Sequence, residues 1–304
     1  MLTVDELRFF ATVASAASLA AAARKLNVSA PAVTQRLRHI EERLGVRLAH
    51  RTGRQLMLTD EGELVVERSR AILAEISALG DAIAARRRRV IGHLRVLAPP
   101  GFGRRHIAPA VAAFREANPD VTVDLILKDM LGRHPSEAWD VAVHIGRLPD
   151  SSLIVQRIAP NRRLLCASPS YVARAPLVDP AELGDHACLV LRENEEDVTL
   201  WRFTAPDQSI VSVRVQPVLA TNDGDVLRGW ALSGQGVMVR SEWDVAEDLR
   251  MGRLIELLPA YKLPDADVVA LFAARIHRSA RSQQFLEHIR GWLDPPPWRR
   301  LAGA

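Results

Sequence analysis

Two cysteines in 304 residues are too few for a disulfide framework. Cys166 and Cys188 read as buried structural thiols, with a redox pair as the alternative. No apolar run is long enough to span a bilayer. The N-terminus lacks a basic segment followed by an apolar core, the pattern of a secretory leader. A cytoplasmic setting without membrane contact is therefore expected. Enzyme signatures are missing as well: the chain has no His-Glu-x-x-His, Cys-x-x-Cys, Walker loop or Gly-x-Ser-x-Gly. Gly101-Phe102-Gly103 begins a dinucleotide fingerprint, but His106 stands where the third glycine belongs. His93, His106, His134 and His144 lack metal-ligand spacing and read as ordinary polar or packing residues. The expectation is a protein that is not an enzyme, with no catalytic residue, cofactor or metal. Lysine is also scarce, with Lys25, Lys128 and Lys262 alone among 40 basic residues. Such a preference for arginine runs through the whole chain and carries no functional weight.

What remains is an ordinary globular composition, 48% hydrophobic and 25% charged, over a length that suggests about two domains. Its charge is uneven. Residues 1–90 hold 15 lysines and arginines against 10 acids, and the rest of the chain holds 25 against 26. The basic excess thus lies in the N-terminal part, as expected if only that part meets phosphates.

The stretch from Ser18 to Leu44 reads as two helices joined by a short turn. Ser18 and Ser29 suit N-caps, Pro31 suits a first helical turn, and Gly45 suits a helix end. Val33, Leu37, Ile40 and Leu44 recur at spacings of four, three and four, one face of a helix. Ser29, Ala30, Pro31, Thr34, Gln35 and Arg38 are left at the start or on the opposite face. In a helix-turn-helix these residues reach base edges, where Gln35 suits adenine, Arg38 suits guanine or a phosphate, and Ala30 and Thr34 suit a thymine methyl. A solvated helix pair in an ordinary α-helical domain is the plainer reading. Before this pair, residues 3–16 read as a helix with a Thr3–Glu6 capping box and an apolar face of Leu7, Phe10 and Val13. After it, residues 46–58 read as a two-strand wing with Arg51 and Arg54 at the tip, placed for phosphates or a minor groove.

Thr59 reads as the cap of a long helix to about Arg89. Val65, Ser69, Ile72, Ile76, Leu79 and Ile83 follow a coiled-coil seam, for which a second copy is the simplest partner. Arg86 to Arg89 complement the negative end of that helix; a basic nucleic-acid run is the alternative. Beyond Gly92, strands at 93–98, 121–128, 140–145, 163–167, 187–191, 211–218, 236–239 and 268–273 alternate with helices at 104–117, 169–175, 226–233 and 279–293. Alternation of this kind implies an α/β fold with parallel sheets. The tail from Pro295 is expected to be extended.

Residues 1–62 resemble the winged helix-turn-helix of the LysR-type transcriptional regulators, through the whole run LRFFATVASAASLAAAARKLNVSAPAVTQRLRHIEERLGVRLAHRTGRQLMLTDEG. One departure is Ala30, where many members carry Gln ahead of the Pro-Ala. The loss of that amide leaves the operator sequence open. The later chain resembles the family's effector domain through GHLRVLAP at 92–99, FREANPDV at 114–121, WDVAVHIGRLPDSSLI at 139–154, RRLLCASPSYVARA at 162–175 and the run from Gly229 to Pro259. The resemblance implies a winged helix-turn-helix at 1–58, a linker and dimerisation helix at 59–90, and an effector-binding domain at 91–304. That domain would comprise two lobes like a periplasmic binding protein, lobe one at 92–160 plus 266–298 and lobe two at 161–265. Double-stranded DNA carrying a roughly palindromic operator, a small-molecule effector, and a homodimer or dimer of dimers are the partners it implies.

Ligands of open parallel sheets sit beyond the carboxyl ends of strands, and helix N-termini there favour anions. These rules select Pro100, Gly101 and Phe102; His144 and Arg147; Trp201 and Arg202; and Asn222 and Asp223. A carboxylate effector is the expectation, with lobe-interface packing as the alternative role of the same residues. The competing view of the whole chain is a cytoplasmic solute-binding protein or enzyme whose N-terminal helices serve only in assembly.

Overall fold

The computed structural model describes residues 2–52, 55–86, 90–128, 139–146, 153–192, 198–272 and 279–300. The N-terminal head begins with α1 (Val4–Ala14), whose capping box is complete: Thr3 Oγ1 accepts from the Glu6 N–H at 3.3 Å, and Glu6 accepts from the Thr3 N–H at 2.9 Å. α2 (Leu19–Leu26) is capped by Ser18 and ends at Asn27, whose left-handed backbone turns the chain into α3 (Ala30–Leu44). Ser29 caps α3, Pro31 occupies its first turn, and Gly45 closes it in the left-handed conformation. Phe10, Val13, Ala22, Val33, Leu37 and Ile40 bury their side chains together, so the three helices share one core. β1 (Ala49–Thr52) and β2 (Gln55–Leu58) pair antiparallel as a wing beside it.

α4 (Asp60–Arg86) leaves the head and packs its first turns on α1. Val66 and Ser69 are therefore buried within a single chain, while Ile72, Ile76 and Leu79 are exposed. The apolar seam thus divides: its start belongs to the head and its middle faces outward.

The C-terminal region contains two five-stranded sheets. β3 (Gly92–Ala98) leads into α5 (Pro100–Phe102), a π-helical turn (Gly103–Ile107) and α6 (Ala108–Ala117), which run on without a break. Residues 99–103 are thus largely helical rather than a loop. Pro100 is pre-set for a first helical position, and Gly103 packs closely, since a Cβ there would stand 2.4 Å from Leu127. β4 (Val121–Leu127), β5 (Val141–Ile145) and β6 (Ile154–Ala159) follow.

The chain then crosses to β7 (Arg163–Ala167), α7 (Pro169–Arg174), a 3-10 turn (Pro180–Asp185) and β8 (Cys188–Leu191). The hairpin β9 (Leu200–Thr204) and β10 (Ile210–Arg214) precedes β11 (Pro217–Thr221), α8 (Gly224–Leu232), β12 (Val237–Ser241), α9 (Glu242–Arg250) and β13 (Ile255–Leu257). A second crossing returns to β14 (Val268–Phe272), α10 (Ala280–Trp292) and a 3-10 turn (Pro297–Arg299).

The first sheet has the order β4-β3-β5-β14-β6 and the second β11-β8-β12-β7-β13. Both are mixed rather than parallel. β3 runs parallel to β4 and β5, and β8 to β11 and β12, but β14 and β7 are antiparallel to their neighbours. These are the strands flanking the crossings, which enter their sheets from the opposite end. The apolar run at 211–218 is two strands, not one: β10 pairs with β9, and Pro217 opens β11 in the second sheet. Pro is tolerated there because it is a strand's first residue. The tail is also not simply extended, because Trp298 is buried against Phe102 and His106.

Candidate functional site

On α3, Val33, Leu37 and Ile40 face the core, while Ser29, Pro31, Gln35 and Arg38 are exposed and Ala30 and Thr34 are half-buried. Thr34 Oγ1 donates back to the Ala30 carbonyl at 3.0 Å. Arg36 is tied inward, lying 4.6 Å over the Phe9 ring and donating to the Asp5 carbonyl at 3.4 Å. The Arg38 guanidinium has no partner among the described residues. Arg54 lies outside the described residues, as does the Arg51 side chain; the Arg51 backbone pairs with Leu56 in the wing.

Glu41, which was not singled out from the sequence, and Glu6 of the capping box hold the head together. Glu41 is buried, and its carboxylate accepts from the Leu48 and Ala49 N–H groups at 2.8 and 3.2 Å and from Arg47 at 3.0 Å. It thereby fixes the start of the wing to the end of α3. Its position four residues after Leu37, on the apolar face, is the signal that could have found it. Glu6 binds Arg43 at 2.6 Å, and that hydrogen bond, with the Thr3 N–H, lowers its carboxyl to about 2. The Thr59-Asp-Glu-Gly62 run also has a physical reason. Thr59 Oγ1 donates to the Arg47 carbonyl at 2.7 Å and accepts from the Gly62 N–H at 3.0 Å. A Cβ on Gly62 would lie 2.0 Å from the Leu48 oxygen, so α4 can start against the wing only with glycine there.

Between the two sheets lies a cavity of about 450 Å³, a size that accommodates a small molecule. Pro100, Gly101, Phe102, His144, Trp201, Arg202, Asn222 and Asp223 all line it. Arg147 lies outside the described residues. The structure thus brings together eight residues from four separate parts of the chain. Two helices begin at this cavity, the long one from Pro100 and α8 at Gly224, where Asp223 Oδ1 accepts from the Asp225 and Val226 N–H groups at 2.9 and 3.0 Å. His144 lies within β5 rather than after it. Trp201 and Arg202 belong to strand β9, so their side chains alternate: Trp201 enters the second lobe's core, its indole donating to the Val198 carbonyl at 3.2 Å, and Arg202 is exposed.

Three further cavity arginines, Arg104, Arg163 and Arg240, escaped sequence reading. Arg163 opens β7 immediately after the first crossing, and its guanidinium reaches back to the first lobe, 3.3 Å from where a Cβ on Gly146 would stand. The guanidinium groups of Arg163 and Arg202 form no ion pair or hydrogen bond with any described residue. Arg240 is buried at the base, pairs with Asp244 at 2.6 Å, and occupies space that a Cβ on Gly224 would invade. Arg104 pairs with Asp225 across the cleft. No spacing rule points to these residues, because each is made a neighbour of the others only by the crossings.

α9 is the bridge between lobes. Its Trp243 lies in the first lobe's core, edge-on to Phe102 at 5.3 Å and to His106 at 5.8 Å. Glu242 accepts from Arg299 at 2.6 and 3.0 Å, and Asp244 accepts from Arg105 at 3.3 Å. Burial, and next the Arg105 charge, lower His106 to about 4, so it is neutral in this aromatic cluster.

Cys166 and Cys188 are both buried. They lie on β7 and β8 with β12 between them and face opposite sides of the sheet, Cys166 with Leu227 and Cys188 with Leu183. Two strand spacings, roughly 10 Å, are too far for a disulfide. Among the described residues no group of three or more His, Cys, Asp or Glu could hold a metal ion. None of the described helices is long and apolar enough to cross a membrane.

A winged helix-turn-helix followed by a two-lobed, cleft-bearing α/β domain defines a class: DNA-binding regulators with an effector domain. Residues 4–63 match the bacterial regulatory helix-turn-helix protein, lysR family, and residues 87–294 match the LysR substrate binding domain. The chain is 34% identical over 294 residues to the HTH-type transcriptional regulator DmlR of Escherichia coli K12, covering 95% of this chain and 94% of that protein. It is 31% identical over 291 residues to the transcriptional activator TtdR of the same strain, covering 95% and 93%. Among solved structures, the full-length Vibrio cholerae virulence activator AphB superposes with a TM-score of 0.61 at 25% identity, covering 95% of this chain and 99% of that one. The chain belongs to the LysR family: it is a LysR-type transcriptional regulator with an effector-binding domain. The proteins it resembles are named as regulators and activators of transcription, not as enzymes.

Proposed function

We propose that this regulator binds a roughly palindromic operator as a dimer or dimer of dimers in the cytoplasm, and responds to a small carboxylate held between its lobes. The working division is a DNA-binding head at 1–58, a pairing helix at 59–90 and an effector domain at 91–304, with lobe two at 161–265. Ser29, Ala30, Pro31, Thr34, Gln35 and Arg38 meet the major groove, and Arg51 and Arg54 meet the backbone or minor groove. The exposed Ile72, Ile76 and Leu79 on α4 give the helix an apolar stripe for its twin. The effector lies among Pro100, Gly101, Phe102, His144, Arg147, Trp201, Arg202, Asn222 and Asp223, with Arg163 and Arg240 added to that set.

One observation carries the anionic class. The cleft holds Arg163 and Arg202, whose guanidinium groups form no ion pair with any described residue although Asp223, Asp225 and Asp265 line the same cavity, and two helix N-termini open onto it. Calorimetry of the full-length protein with acetate, succinate, benzoate and citrate, against the matching amides, tests it. Heat from a carboxylate and none from its amide is expected. Binding only by amides or amines overturns the carboxylate class. A footprint over a salt series tests the DNA reading: protection of a roughly palindromic site that weakens steeply with salt is expected. Arg38→Ala then lowers affinity by about 1–3 kcal/mol if it reads a base, and lowers the salt slope by about 1 if it meets a phosphate.

A further inference from the structure

The π-helical turn Gly103–Ile107 sends two consecutive arginines to two different acids of the other lobe. Arg105 reaches buried Asp244 at 3.3 Å, and Arg104 donates to Asp225 at the cavity's rim. The two pairs differ in kind. Asp244 has no exposed surface and a second arginine, Arg240, at 2.6 Å, so its pairing is part of the packing. Arg104 and Asp225 are each about half exposed, both line the cavity, and neither forms a second ion pair among the described residues.

Asp225 also lies in the first turn of α8, where the helix dipole favours negative charge. It therefore combines the two features that make the cleft attractive to an anion: a helix N-terminus and a cavity arginine. A carboxylate entering the cleft meets Arg104 already neutralised by a carboxylate of the protein itself.

We infer that Asp225 is a built-in competitor of the effector: it holds Arg104 across the cleft and yields it to the effector carboxylate on binding. The inference rests on the carboxylate reading above. It makes Arg104 a specificity-determining residue and gives its two partners opposite effects. Removing the charge of Asp225 leaves Arg104 available at no cost of displacement, so binding tightens. Removing Arg104 takes away the contact, so binding weakens. A tie that merely holds the lobes together would weaken binding from either side.

The test is calorimetric titration of succinate and of benzoate into full-length wild type, Asp225→Asn, Arg104→Gln and the double variant, with thermal melts to establish that each is folded. An exposed pair of this kind shifts an equilibrium by up to about five-fold. Asp225→Asn is expected to bind about two- to five-fold more tightly and Arg104→Gln correspondingly more weakly. The double variant is expected to match Arg104→Gln, because a competitor for an absent arginine has no effect. Wild-type binding with no gain, or a loss, in Asp225→Asn overturns the competitor alone. No binding of either carboxylate to any folded variant counts against the carboxylate reading and overturns the competitor with it.

Discussion

Arg240 donates to Asp244 Oδ2 through both Nε and Nη2, at 2.8 and 2.6 Å, at the base of the interlobe cleft. The pair spans the end of β12 and the first turn of α9, and Arg105 approaches the other Asp244 oxygen from the first lobe at 3.3 Å. A carboxylate with no exposed surface between two arginines is an electrostatic pin for the lobe junction. Breaking such a pair by removing one member leaves a buried charge uncompensated, at about 3–5 kcal/mol. Asp244→Ala is therefore expected to lower stability by about that much in a urea melt. A loss below about 1 kcal/mol would show that water reaches Arg240 and that the pin is dispensable.

The start of α4 should tolerate no side chain at Gly62. A Cβ there would press on the Leu48 oxygen at 2.0 Å, and relief requires moving the wing or the helix. Gly62→Ala is expected to destabilise the head by about 1–3 kcal/mol, the range for overpacking, and to weaken operator affinity by misplacing the wing. A melt and a gel-shift titration read the two effects; wild-type behaviour in both would contradict the close approach.

His106 predicts a pH dependence with a definite sign. Its folded value, about 4, is below the ordinary 6.5 because burial disfavours the imidazolium. Between those values the unfolded chain takes up a proton that the folded chain refuses, so stability falls as pH falls from about 6.5 to 4. Above 6.5 the residue contributes no slope. The full loss is roughly 3.5 kcal/mol at most, at about 1.4 kcal/mol per pKa unit. His106→Phe, which keeps a ring between Phe102 and Trp298, is expected to flatten this part of the stability–pH curve. An unchanged slope would assign the dependence to other groups.

The acid limb of the head should depend on Glu6. Its carboxyl is lowered from 4.5 to about 2 by Arg43 and the Thr3 N–H, so its contribution is present above about 4.5 and lost as pH falls towards 2. Because the pair is at the surface, roughly 0.5–1 kcal/mol is expected. Glu6→Gln should remove that difference at pH 7 and leave the two proteins alike at pH 2; a gap persisting at pH 2 would refute the assignment.

The two thiols should be silent in the native state. Burial pushes Cys188 up to about 12 and raises Cys166 further, and the thiolate is the reactive form. Titration with a thiol reagent is expected to detect none in folded protein and two after denaturation. Rapid labelling of either without denaturant would reopen a redox role.

Much of the head was legible because its signals are local. Ser18, Ser29, Pro31 and Gly45 cap or open helices within a few residues of themselves, and the spacing of Val33, Leu37 and Ile40 fixes which face of α3 is buried. Glu41 was hidden because a buried carboxylate looks like any polar residue until the wing's N–H groups fold onto it. In α9 the pattern was obscured in the same way, since Glu242, Asp244 and Asp248 are buried alongside Trp243 and Val245.

The amino-acid sequence determined the caps, the outward face of α3 and the α/β character of the C-terminal region, because each depends on neighbours a few residues apart, and the order of strands and helices pointed to segments that line the cleft. Tertiary structure alone decided which arginines join Arg202 in that cleft. Arg104, Arg163, Arg202 and Arg240 come from a π-helical turn and three strands. What makes them one site is the double crossing of the chain between two mixed sheets, a long-range arrangement that no residue spacing encodes.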